Sequence, residues 1–160
     1  MIARLPIYSL FGTFWAVFLC VCVAYHLTSL GWHVDGQLRT ALLPYLFGGF
    51  FGGAGAFALS ERFHRLSTVP TRRFGLFFAS LAVLTIGFAA ATVVIHFRLY
   101  YAQWHAPFPS IAWAFQTVFT AAGSAYLFAV TGVRPLLPWG LLGLFVASLC
   151  FSRGWIGARR

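Results

Sequence analysis

The chain has no lysine and only two carboxylates, Asp35 and Glu61, in 160 residues. Each shortage closes off a chemistry. Without lysine there is no retinal Schiff base and no glycine-rich phosphate loop, whose ammonium group must reach the phosphates. Two carboxylates in separate connecting segments cannot work as a paired general acid and base. Neither stands inside an apolar run, where a membrane proton relay would need it. Cys20, Cys22 and Cys150 form no C-x-x-C, so neither a redox pair nor a matched metal pair is expected. They read as small buried hydrophobes. Charge is scarce altogether, at 8% of residues, against about 25% in ordinary soluble domains.

What is there is apolar. Hydrophobic residues make up 61% of the chain and mean hydropathy is +0.84. A soluble domain this small has too much surface for its volume to hide such a composition; lipid can accept it. The expected fold is all-α, a polytopic transmembrane helical bundle of four or five spans forming one integral membrane domain over residues 1–160. Spans are expected at about 7–30, 40–60, 74–97 and 110–131, each near the roughly 20 residues that cross a bilayer. The first is too long for the apolar core of a signal peptide, which is about 7–15 residues, so a retained helix is preferred. Pro44 is placed near the first turn of the second span, where a missing N–H costs little. Residues 61–73 read as a polar loop, and Gly132-Val133-Arg134-Pro135 as a tight break. The apolar run 136–151 that follows would rise only about 24 Å against roughly 30 Å of hydrocarbon. It is either a short fifth span or a re-entrant segment.

The net charge of +9 comes from eleven arginines lying between or beyond the apolar runs. A nucleic-acid binder would gather them on one polar face, so nucleic acid is not an expected partner. Arg62, Arg65, Arg72 and Arg73 suit lipid headgroups; His64 among them reads as incidental. The excess of arginine in cytoplasmic loops places residues 61–73 and the N-terminus inside. Five spans then divide the arginines six against five, and four spans nine against two. Charge favours four spans while apolar length favours five. The arginine-rich, lysine-free composition suggests a bacterial inner membrane.

Small residues repeat at four-residue spacing, which keeps them on one helix face. Gly12, Ala16, Cys20 and Ala24 line up in the first span, and Thr117, Ala121, Ala125 and Ala129 in the fourth. The densest set is Gly48, Gly49, Gly52, Gly53 and Ala56 in the second. Helical glycine costs about 1 kcal/mol against alanine, so something must pack closely there: another span, a second subunit, or a permeation path. Tyr25, Trp32, Tyr100, Tyr101, Trp104, Trp139 and Trp155 read as interfacial anchors.

Four histidines, His26, His33, His96 and His105, are expected toward the non-cytoplasmic face, with Asp35 beside them. His26 and His96 fall at similar depth on parallel spans. That arrangement would suit a b-type haem or a Cu or Zn ion; interfacial histidines or a pH sensor are the other readings. Gln116, Thr120 and Ser124 form a polar stripe, expected either to hydrogen-bond another helix or to line a small-solute path. The leading functional expectation is a non-enzymatic accessory or assembly subunit without cofactor. Its partners would be membrane lipids and other membrane subunits or a second copy. A redox or metal-handling protein and a small-solute channel or carrier are the alternatives.

Overall fold

The structure, a computed structural model, describes residues 5–33, 36–64 and 69–156. Five α-helices follow one another: α1 (Leu5–Ser29), α2 (Gly36–His64), α3 (Pro70–Tyr101), α4 (Ile111–Leu127) and α5 (Trp139–Ser152). A π-turn at Phe128–Gly132 and a 3-10 turn at Arg134–Leu136 lie between α4 and α5. Four helical stretches, Pro6–Ser29, Gly36–Phe63, Pro70–Trp104 and Ile111–Leu136, are long and apolar enough to cross a membrane. The protein is a polytopic membrane helical bundle.

Local chemistry sets the helix ends. Gly31, at φ +87°, closes α1: its N–H donates to the Thr28 carbonyl and that of Trp32 to the Leu27 carbonyl. This paired termination uses the left-handed conformation that glycine adopts without penalty. Gly154, at φ +74°, ends α5 in the same way, with Gly154 donating to Phe151 and Trp155 to Cys150. Pro70 starts α3, where its fixed φ suits the first helical position. Ser110 caps α4 by accepting from the Trp113 N–H at 3.1 Å.

Two sequence expectations need correction, and a third becomes more definite. The polar segment 61–73 is mostly helix: α2 continues through His64 and α3 begins at Pro70. Beyond the hydrocarbon the backbone still gains by bonding to itself, and Glu61 is fixed by a hydrogen bond from the Tyr8 hydroxyl (2.8 Å). Pro44 lies inside α2 and not in its first turn, because the helix starts at Gly36. The short apolar run is a 14-residue helix, Trp139–Ser152, about 21 Å long, which occupies only one half of the bundle.

α2 is the centre. Its glycines face both neighbours. A Cβ on Gly49 would sit 2.5 Å from the Ala16 Cα, and one on Gly53 3.2 Å from the Gly12 Cα, so α1 packs against that side. A Cβ on Gly48 would lie 2.7 Å from the Ala89 Cβ and one on Gly52 2.6 Å from the Thr85 Cα, so α3 packs against the other. Ala56 is fully buried in the same column. Side chains from α1 and α3 meet across the gap: the Trp15 indole N–H donates to the Thr85 hydroxyl at 2.9 Å. α5 fills this gap in the half of the bundle where α1 begins. Phe151 stacks on Phe77 at 4.3 Å and meets Phe57 at 5.6 Å, while Ile156 borders one cavity with Ile7 and Phe11.

The C-terminal end of α5 is therefore at the same end of the bundle as the start of α1. Arg62, Arg72, Arg73 and Arg153 belong to that end, and Arg39 and Arg98 to the opposite one. Arg4, Asp35, Arg65, Arg159 and Arg160 lie outside the described residues, as does the side chain of His64.

Candidate functional site

The irregular stretch between α4 and α5 packs along the bundle at mid-height, with Phe128, Pro135 and Leu136 buried and Ala129, Val130 and Arg134 exposed. Its sequence denies a regular helix: Pro135 and Pro138 have no N–H to donate. The π-turn closes with the Val133 N–H donating to the Phe128 carbonyl at 3.2 Å. A carbonyl without a partner is costly in lipid, and the buried Tyr45 of α2 supplies one, its hydroxyl donating to the Gly132 carbonyl at 2.6 Å. The Phe128 ring packs 6.2 Å from that of Tyr45. One turn further on, the buried Leu136 borders a small cavity with Trp15, Leu19, Leu81 and Thr85. These residues lie near the middle of α1 and α3, whose midpoints from their printed limits fall at residue 17 and between residues 85 and 86.

Arg134 sits in this stretch and is exposed on the bundle surface. Its carbonyl accepts from the Leu137 N–H at 3.0 Å, while its side chain meets no hydrogen-bond or ion-pair partner among the described residues. Glu61, the one carboxylate among them, is at the end of the bundle, engaged by Tyr8. Sequence reasoning counted Arg134 with the loop arginines and so missed its depth. The available signal was an Arg-Pro between two apolar runs, the second too short to cross alone.

A groove of about 870 Å³ opens between α2, α3 and the end of α4, bordered by Trp32, Gln37, Tyr45, His96, Phe128 and Thr131. It is largely apolar. The hydroxyls of Thr40 and Thr92, also on its wall, donate to their own helices, to the Gly36 and Phe88 carbonyls. Among the histidines expected together, His96 is exposed at this groove and His26 is half-buried on α1. Taking Ala16 and Ala89 as level through their packing on Gly49 and Gly48, the two stand about 15 and 10 Å further along their helices. His33 is exposed beyond α1, and the His105 Nε2 lies 3.4 Å from the Thr120 hydroxyl. Among the described residues, no group of three or more His, Cys, Asp or Glu side chains comes together to hold a metal ion.

The polar stripe of α4 bonds to the connection before it and to its own helix. The Gln116 side-chain oxygen accepts from the Ala106 N–H at 2.8 Å, Thr120 approaches His105, and the Ser124 hydroxyl donates to the Thr120 carbonyl at 2.7 Å. The connection carries Pro107 and Pro109 and cannot satisfy its own backbone, so Gln116 supplies an acceptor. Arg98 lies over the Trp113 ring at 5.6 Å and ties α3 to the start of α4. Of the arginines assigned to headgroups, Arg62 and Arg72 are exposed and Arg73 is half-buried.

No known protein family matches the chain, and no curated protein or solved structure matches it either.

Proposed function

We propose that the protein is a non-enzymatic accessory or assembly subunit, a bundle that acts by packing against the helices of another membrane protein. The observation carrying this reading is the contrast between two sets of glycines. Gly48, Gly49, Gly52 and Gly53 of α2 are closed in by α1 and α3. A Cβ on Gly87 of α3 or Gly123 of α4 would meet nothing within 4 Å. Helical glycine costs about 1 kcal/mol relative to alanine, and in lipid its use is to let another backbone approach. These two leave open notches on the outside of the bundle. α4 is also the least covered span: 11% of its apolar window is buried within the chain, against 39% in α1 and in α2.

The test is the mass of the particle extracted from native membranes in mild detergent. A complex containing a second membrane protein in fixed ratio is expected. A lone chain of 17.7 kDa, or only copies of itself, overturns the reading. A redox or metal-handling role has one separate support, the His96 imidazole exposed at a roomy groove with His26 at comparable height. A Soret band or stoichiometric metal in the purified protein would put that role first.

A further inference from the structure

We propose that Arg134 is the docking point for a partner's transmembrane helix that carries an aspartate or glutamate near its middle, an inference that rests on the subunit reading above. Val133, Leu136 and Leu137 border the same cavity as Trp15, Leu19 and Thr85, so the backbone of Arg134 is within about one helical turn, roughly 5 Å, of the bundle's middle. An arginine side chain of six zigzag bonds of about 1.5 Å adds roughly 7 Å. The sum, about 12 Å, falls short of the roughly 15 Å half-thickness of the hydrocarbon core. The guanidinium therefore does not reach the lipid phosphates by extension along the bundle surface.

Charge comes next. The guanidinium keeps its proton under all ordinary conditions, so it cannot escape hydrocarbon by becoming neutral as lysine or histidine can. A charge at this depth is costly unless it is paired. The chain supplies no counter-charge among its described residues: Glu61 is held by Tyr8, and Tyr8 is nine residues from the middle of α1, about 13 Å away along the helix. Coverage completes the case. Arg134 stands where α4 has ended and α5 has not begun, and its side chain is left exposed by the described helices. A carboxylate on a neighbouring span satisfies the planar guanidinium with two parallel hydrogen bonds and lets both charges remain in the membrane.

The experiment has two arms. In the first, the full-length chain and its Arg134→Gln and Arg134→Lys variants are extracted from native membranes, with circular dichroism and monodisperse elution as controls for folding. The second reconstitutes each variant in phosphatidylcholine vesicles with a synthetic poly-leucine helix bearing one central Glu or Gln, and reads association by energy transfer. Arg134→Gln should lower recovery of the companion at least tenfold, and Arg134→Lys should retain most of it. The Glu helix should associate with the native chain at least tenfold better than the Gln helix, and Arg134→Gln should abolish that preference. A companion that stays with Arg134→Gln at native yield overturns this inference and leaves the subunit reading standing. No companion with the native chain overturns the subunit reading, whereas equal association of the Glu and Gln helices overturns the pairing chemistry itself. An association that follows the fraction of phosphatidylglycerol and ignores the peptide charge assigns Arg134 to lipid and overturns the inference as well.

Discussion

Single residues carry opposite weights in this bundle depending on what faces them. Gly52 has the backbone of Thr85 where its Cβ would go, at 2.6 Å. Backbone cannot rotate away as a side-chain tip can, so Gly52→Ala must push α2 and α3 apart, an overpacking cost of about 1–3 kcal/mol. Gly87→Ala meets nothing and gains helix propensity, so it should be neutral or stabilise by up to about 1 kcal/mol. Unfolding in a mixed micelle titrated with a denaturing detergent measures both. Equal effects would contradict the packing described. Gly87→Leu should leave the isolated bundle intact yet weaken its recovery with a companion. The four-residue spacing of Gly48, Gly52 and Ala56 made a close approach legible in the sequence. It could not say which helix approached, because two adjacent glycine columns serve two different neighbours.

Among the elements, the interrupted path from α4 to α5 is the most demanding, since hydrocarbon offers its backbone no water. Tyr45 answers that demand at the Gly132 carbonyl. Tyr45→Phe keeps the ring against Phe128 and removes the donor, which should destabilise by about 1–3 kcal/mol, the cost of an unsatisfied buried acceptor. The same denaturing titration reads it, and a Tyr45→Phe protein as stable as the native one would show that this carbonyl has another partner. The four long apolar helices were legible because each is built on an uncharged run of about twenty residues or more. Their ends were not, since α2 and α3 continue as helix past the hydrocarbon through Glu61–His64 and Arg98–Tyr101. The sequence predicts that Gln116 bonds another helix or lines a small-solute path. The acceptor it supplies goes instead to Ala106 in the adjoining connection, a demand created by two prolines that periodicity does not register.

For the whole molecule, α5 returns to the end of the bundle where α1 begins, so the first and last described residues, Leu5 and Ile156, lie at one end. With Arg134 at mid-height, four described arginines, Arg62, Arg72, Arg73 and Arg153, belong to this end and two, Arg39 and Arg98, to the other, and we propose that this end is cytoplasmic. Reporter fusions at the two ends should both be active as cytoplasmic markers; opposite sidedness would restore a full fifth crossing. Apolar length and charge gave conflicting span counts from sequence because each treated residues 134–135 as a surface loop. In the structure that segment packs against the middle of α1 and α3. The depth of residue 134 is thus what the topology, the broken crossing and the docking inference share. A nitroxide placed there, with the native cysteines replaced by serine, reports depth from its relative collisions with oxygen and a water-soluble nickel chelate. The account predicts a depth matching a label at the lipid-exposed Val17, near the middle of α1. A depth matching a label at Arg98, at the rim of the bundle, would contradict it.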